Sequence, residues 1–221
     1  MSGDPALVAP PWSDPDFWIE DPEPVRTARE RAIDLGCLPV ERAVAATLRL
    51  LARLVGAKAI VEVGTGTGVS AAALLAGAVP GAMLTSIDIE AEHQRIAREM
   101  LDQLGFEHAK VRLIAGRALN VLPRLSDGAY DVLLADADCQ DYAEIAEHAA
   151  RLLRPGGVAV FTGVLSSSSD QDESDAQALL DLATVLEHDA VWTTALLPVG
   201  TGLLVACRAA VADAPAAADP A

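Results

Sequence analysis

The stretch Ala59-Ile60-Val61-Glu62-Val63-Gly64-Thr65-Gly66-Thr67-Gly68-Val69-Ser70 decides how this chain folds. Its first five residues form a short, continuous, β-branched run, the pattern of a strand buried on both faces. Glycines at alternate positions then break the strand, and residues 69–78 read as a helix that starts inside the glycine loop. Strand, glycine turn and helix in that order open a parallel α/β sheet.

Working outward, the unit repeats. Residues 83–88 read as a strand and 90–104 as a helix closed by Gly105. Residues 110–114 and 117–125 follow as strand and short helix, and 130–135 and 142–153 as another pair. Arg154-Pro155-Gly156-Gly157 stops that helix before a fifth strand over 158–162. A polar stretch, 166–174, leads to a helix over 175–187. Strands over 191–197 and 203–208 are joined by Pro198-Val199-Gly200-Thr201-Gly202, too short for a crossover helix, so they form an antiparallel hairpin. Upstream, helices are expected over 24–35, closed by Gly36, and from Pro39 to the stop at Gly56. The reading is one α/β domain over 25–208: a seven-stranded sheet, mostly parallel, with helices on both faces.

The flanks differ in composition. Residues 1–24 form an acidic, proline-rich arm with six acids, no Lys or Arg, and the aromatics Trp12, Phe17 and Trp18. Proline at that density prevents regular helix, and the aromatics are expected to dock on the body or on a partner subunit. The Ala/Pro tail over 209–221 reads as disordered.

The 221 residues carry a formal net charge of −16, and 52% of them are hydrophobic, which places the chain among folded globular proteins. The acidic arm and residues 165–190, with seven acids and no Lys or Arg, hold most of the excess. They read as solvated surface or as flanks of a substrate mouth. No basic stripe exists to follow phosphates, which argues against nucleic acid. No apolar run reaches the roughly 18–20 residues of a membrane span. The start of the chain has no basic region followed by an apolar one, as a secretory signal would. Three scattered cysteines, Cys37, Cys139 and Cys207, give neither a disulfide framework nor zinc spacing, which points to a reducing cytoplasm.

Ligands of open α/β sheets sit beyond the carboxyl ends of the strands. Gly64, Gly66 and Gly68 let a ligand approach main-chain N–H groups, but such a loop serves NAD, FAD, nucleotides or S-adenosylmethionine equally. Two details discriminate. The dinucleotide fingerprint needs glycine at the sixth position, which counted from Gly64 is Val69; a register shifted to Gly66 meets the alanine variant at Ala71 but starts late in the loop. Glu62 precedes the first glycine by two residues, where it would oppose a pyrophosphate but suits a ligand bearing an ammonium and a sulfonium. That combination favours S-adenosylmethionine. Asp88, at the end of the second strand, suits ribose hydroxyls. Gly116 and Ala118, after the third, leave room for an adenine ring.

These residues resemble the small-molecule O-methyltransferases of the catechol and caffeoyl-CoA O-methyltransferase type. The likeness runs from about Pro39 to Arg208. It is carried by residues 61–70, Ser-Ile-Asp-Ile (86–89), Ala-Gly-Arg-Ala (115–118), Asp136-Ala137-Asp138 with Tyr142, and Leu-Leu-Arg-Pro-Gly-Gly (152–157). The resemblance implies a Rossmann-like methyltransferase fold, usually dimeric. It implies that Glu62, Gly64, Thr65 and Ser70 hold the methionine part of the cofactor. Asp88 would hold the ribose, with Ile89 and Ala118 against the adenine and Val40 as a further contact. Asp136 and Asp138 fall where the family brings cofactor, metal and substrate together.

The chain departs from that pattern twice. The family's lysine base, three residues after the first Asp of the motif, is here Cys139. The Asp-Asn pair that completes its metal site is here Thr162-Gly163. Asp136 with a threonine hydroxyl is a poor site for a hard cation, so no metal is expected. Neither lysine of the chain, Lys58 or Lys110, can replace the base, since both sit at strand starts. Asp136 or Asp138 could then take the acceptor's proton, with Asp136 the favoured residue; the acceptor could be acidic already; or catalysis could be lost. The expected activity is S-adenosylmethionine-dependent methylation of a small-molecule hydroxyl. The alternatives are a silent S-adenosylmethionine-binding regulatory or scaffold protein and a nicotinamide oxidoreductase.

Cys139 reads as a small filler opening a helix, although a helix start can also lower a thiol pKa. Trp192 reads as sheet packing, and His93, His108, His148 and His188 as surface or helix-packing residues. The serine run 166–169, with the acids after it, suits a mobile cover of the substrate mouth.

Overall fold

The computed structural model describes residues 19–107, 110–165 and 173–209. The expectations for Trp12, Phe17 and Trp18, for a cover over 166–172 and for the tail beyond Ala209 lie outside these residues. The chain runs α1 (Glu23–Asp34), α2 (Arg42–Leu54), β1 (Ala59–Val63), α3 (Val69–Gly77), β2 (Met83–Asp88), α4 (Ala91–Gln103), β3 (Val111–Ala115) and α5 (Ala118–Val121). It continues through β4 (Tyr130–Ala135), α6 (Tyr142–Leu152), β5 (Leu153–Thr162), α7 (Glu173–His188), β6 (Trp192–Leu197) and β7 (Leu203–Arg208).

The strands form one seven-stranded sheet in the order β3-β2-β1-β4-β5-β7-β6. β1 pairs in parallel with β2 and β4, while β7 runs antiparallel to both β5 and β6. The chain reverses its direction of travel across the sheet between β1 and β4, so a crevice opens beyond their carboxyl ends. Val61, Leu133 and Ala159 from β1, β4 and β5 face α6 and α7, with Tyr142 and Phe161 at ring-centroid distance 5.4 Å. Ile60, Val132 and Val160 face α1, α2 and α3 on the other side.

Alanine-rich helices let this second layer close tightly. Val44, Ala45, Leu48 and Ala52 recur at three- to four-residue spacing and form the buried face of α2. A Cβ at Gly77 would stand 2.1 Å from the Arg49 carbonyl oxygen, so α2 and α3 can touch this closely only through a glycine. Truncating the fully buried Leu48 to alanine would cost about 2–5 kcal/mol.

Most boundaries fall within three residues of the sequence reading, and two differences go further. Residues 154–157, read as a helix stop, are already part of β5. The partner of Tyr130 is Leu153 and that of Val132 is Val158, so a bulge absorbs the extra residues inside the strand. Asp131 holds this bulge. Its Oδ1 accepts from Arg154 Nε at 2.5 Å, and its Oδ2 accepts the amides of Lys58 and Ala59 at 2.7 and 2.8 Å. The second difference lies over 117–125. There Pro123 cannot donate into an α-helix, and a single α turn passes into a 3-10 turn over Leu122–Arg124. Among the described residues no helix is long and apolar enough to cross a membrane.

Candidate functional site

The crevice at the reversal point is a cleft of about 390 Å³. Its floor is the loop after β1. Gly64 has φ +90°, and a Cβ there would lie 1.8 Å from the Asp136 carbonyl oxygen. Glycine therefore lets the loops after β1 and β4 meet, and it brings Asp136 beside the cleft floor.

Eleven of the twelve residues expected at the site line this cleft: Val40, Gly64, Thr65, Gly66, Ser70, Asp88, Ile89, Gly116, Ala118, Asp136 and Asp138. They come from the segment before α2, the β1 loop, the ends of β2 and β3, and the loop after β4. Glu62 is the exception. It is wholly buried one layer beneath the floor, reached through side chains that do line the cleft.

Asp88 organises the β2 side. Its Oδ2 accepts the Gly66 amide and its Oδ1 accepts the Glu90 amide, each at 2.8 Å. The carboxylate is thus fixed by two backbone donors, and its remaining lone pairs can still accept hydroxyl groups. His93 Nδ1 stands 3.8 Å from Asp88 Oδ1. His93, read as a surface or helix-packing residue, is instead a cleft residue. Its position five residues after Asp88, on the first turn and a half of α4, is the signal that could have found it. Cys37 and Leu38 also line the cleft and were not singled out. Burial and the charges of Asp88 and Asp136 push the Cys37 thiol up, so it is held as a thiol.

Under the floor lies a chain of hydroxyls. Ser86 Oγ donates to Glu62 Oε2 at 2.5 Å, which obliges Thr65 Oγ1 to donate to Ser86 Oγ at 2.7 Å. Gln94 Nε2 donates to the Ile114 carbonyl at 2.8 Å and, at 3.4 Å, to Thr65 Oγ1. Glu62 Oε1 has no partner, nor does Thr67 Oγ1 on the cleft wall. Burial pushes Glu62 up to about 8, against the Ser86 and Ser70 hydroxyls and with the Asp136 and Asp88 charges.

On the β4 side, Thr162 Oγ1 donates to Asp136 Oδ1 at 2.5 Å, and the Tyr142 hydroxyl donates to the Thr162 carbonyl at 3.2 Å. Burial raises Asp136 to about 6; the Thr162 hydrogen bond opposes the rise and the Glu41 carboxylate adds to it. A carboxyl group titrating near neutrality beside a cleft is suited to exchanging a proton. Asp138 instead accepts the Gln140 amide at 3.1 Å and caps the turn that leads into α6. Cys139, in that turn, is pushed up by burial and by Asp175, the reverse of an activated thiol. It packs with Trp192 against the α6–α7 side of the core.

Two groups bear on this donor set: the S-adenosylmethionine expected from the sequence and the divalent cation of the family the chain resembles. For a divalent cation, Thr162 holds Asp136 Oδ1, Gly163 offers no side chain, and the remaining carboxylate oxygens of Asp136 and Asp138 are too few for a hard cation's shell. Among the described residues no group of three or more His, Cys, Asp or Glu gathers. The residues do not fit a hard cation, which needs several oxygen ligands. A cationic nucleoside does fit. It would meet the fixed Asp88 carboxylate and a floor that accommodates close approach, with the Glu62 carboxyl one layer below.

An open, mostly parallel sheet with an acidic, glycine-floored crevice at its reversal point defines a nucleoside-cofactor enzyme of the Rossmann-like kind. The O-methyltransferase family matches residues 23–209, and the chain belongs to that family. A protein from Mycobacteroides abscessus assigned as an O-methyltransferase is 44% identical over 194 residues, covering 86% of this chain and 90% of its own length. The O-methyltransferase TomG from Streptomyces achromogenes, involved in tomaymycin synthesis and solved with S-adenosylmethionine, is 27% identical. It aligns with a TM-score of 0.79 over 87% of this chain and 92% of its own. A Corynebacterium glutamicum protein, also 27% identical, aligns with a TM-score of 0.81 over 88% and 94%. The chain is therefore an O-methyltransferase, and neither the scaffold nor the oxidoreductase alternative is favoured.

Proposed function

We propose that this enzyme moves the methyl group of S-adenosylmethionine to a hydroxyl of a small-molecule acceptor, with Asp136 as general base and no divalent metal in the step. The observation that carries this reading is the Asp136 carboxyl on the cleft wall. It is raised to about 6 and held by Thr162 where a cation would otherwise be bound. The bound cofactor supplies an already activated methyl group, so the protein has chiefly to align the acceptor and remove its proton.

Thr65, Ser70 and the floor amides take the methionine part, Asp88 accepts the ribose hydroxyls, and Gly116, Ala118 and Ile89 flank the base. Thr162 occupies Asp136 Oδ1, which leaves Oδ2 to receive the acceptor's proton as the acceptor oxygen attacks the methyl carbon. Glu41 reinforces this side. It places a carboxylate near Asp136 and ties down the β6–β7 connector, accepting the Thr201 amide at 3.0 Å.

The test pairs binding with turnover. S-adenosylhomocysteine should bind by calorimetry. Labelled S-adenosylmethionine with a panel of phenolic and other hydroxylated acceptors should give product in excess EDTA. Strict dependence on added Mg²⁺ would refute the metal-free step.

Residues 25–208 are proposed as the methyltransferase domain, between the arm over 1–24 and the tail over 209–221. A homodimer and a cytoplasmic setting belong to the same proposal. They are supported by the exposed Leu50, Leu54 and Leu196 and by three unpaired cysteines. Light scattering of the purified chain tests the first, and fractionation of the native host the second.

A further inference from the structure

We infer that Glu62 is a neutral acid in the ligand-free enzyme and gives up its proton when the cationic cofactor occupies the cleft, so that cofactor binding is coupled to release of one proton. This rests on the cofactor reading above and adds to it a change of charge beneath the floor.

Ser86 has one proton and spends it on Glu62 Oε2, so Thr65 must donate to Ser86, and Gln94 is aimed in turn at Thr65. Every donor in the chain points towards Glu62. With Glu62 ionised, Oε2 accepts from Ser86; with Glu62 protonated, the same contact can run either way. Oε1 is buried without a partner. As an anion it has only the influence of the nearby Ser70 hydroxyl, without a formed hydrogen bond, and leaving a charged oxygen so costs far more in a dry site than leaving a neutral one.

The charged groups that bear on it favour the neutral form. From its own strand and floor come no charges, only the Thr65 hydroxyl. β2 presents Ser86 and Asp88, α3 presents Ser70, α4 presents Gln94 through Thr65, and the loop after β4 presents Asp136. Both named charges are anions and oppose a third. The basic side chains on the cleft wall are His93, which lies against Asp88, and Arg117 at the start of α5.

A ligand carrying an ammonium and a sulfonium reverses this balance. Held at the floor as proposed above, it would face Thr65 and Ser70, the two hydroxyls between Glu62 and the cleft. The anion is then the favoured form, and the chain of donors is already arranged to stabilise it without reorganisation. The proton leaves to solvent, so no co-reactant is needed. Since burial places Glu62 at about 8 in the free enzyme, about 0.9 proton should be released per site at pH 7. Asp136, at about 6, is almost fully ionised there and contributes little.

The experiment is calorimetric titration of the full chain with S-adenosylmethionine, without acceptor, at pH 7, in two buffers of different ionisation enthalpy. The unmodified enzyme should release about 0.9 proton, and Glu62→Gln, which mimics the neutral acid, should release close to none. Equal proton counts in the two proteins, or none in the unmodified one, would overturn the inference. Failure of both to bind would instead remove the cofactor reading. Difference infrared spectroscopy of the unmodified enzyme gives a readout that does not depend on the variant's folding. Binding should abolish a protonated-carboxyl band, and an unchanged carboxyl region would count against the inference as directly.

Discussion

The carboxyl ends of β1 and β4 each carry an acid that burial has raised, yet the two are built for different work. Glu62 lies under the cleft floor, reached only through hydroxyls, with a line of donors converging on one oxygen. Asp136 stands on the wall itself, with one oxygen held by Thr162. Desolvation is the common cause of both shifts. What separates the roles is access: a group that meets the cleft only through other side chains can set its charge, and one on the wall can exchange a proton with what binds there.

The comparison can be broken most severely at the glycine that joins the two ends. Gly64→Ala forces a Cβ into the Asp136 carbonyl at a backbone angle that alanine rarely adopts. The expected result is loss of both S-adenosylhomocysteine binding and turnover, with a melting temperature well below the parent's; a variant of parental activity would show that the loops need not touch. Next is Asp136→Asn. Turnover should fall about 10²–10⁴-fold, while S-adenosylhomocysteine affinity stays within a few-fold. A large loss of affinity with turnover intact would move Asp136 to the cofactor side.

Glu62→Gln sharpens the contrast through stability. The folded protein keeps the Glu62 proton up to about pH 8, whereas the unfolded chain loses it near 4.5. Between those values the native state binds more protons, so the ligand-free wild type loses stability as pH rises, by at most about 1.4 kcal/mol per pH unit. Thermal melts at pH 5 and pH 8 should show the variant gaining on the wild type at the higher pH. Thr162→Val removes the hydrogen bond that lowers Asp136, so the acidic limb of the turnover profile, expected near pH 6, should move up by about one unit. Thr162→Ser should restore it. The smallest effect is that of Tyr142→Phe. Loss of the 3.2 Å bond to the Thr162 carbonyl should cost about 1 kcal/mol in denaturant unfolding.

Most of the cofactor side was legible because its parts are local. A β-branched run, alternate glycines and an acid ending the next strand specify a strand, a turn and a carboxylate at the sheet's carboxyl end within about thirty residues, and the fold brings them to one cleft. Asp136 and Asp138 were also found, on the strength of position after β4. What escaped was set by contacts across the sequence. His93 belongs to a helix face like any other until α4 is seen to begin over Asp88. Cys37 and Leu38 reach the cleft only because α1 ends beside it. The bulge in β5 reads as Pro-Gly-Gly punctuation unless Asp131, more than twenty residues away, is known to hold Arg154.

The sequence by itself determined the alternation of strand and helix, the hairpin that closes the sheet and the glycine floor, because hydrophobic period and turn chemistry act over neighbouring residues. It also determined that two positions, Cys139 and Thr162, depart from the pattern the chain resembles. Only the tertiary structure decided what those departures mean. Thr162 donates to Asp136, the Cys139 thiol is pushed up by burial and Asp175, and Glu62 is sealed beneath the floor with one oxygen unmatched. Protonation depends on how much water and which charges surround a group, and those are properties of the packed molecule.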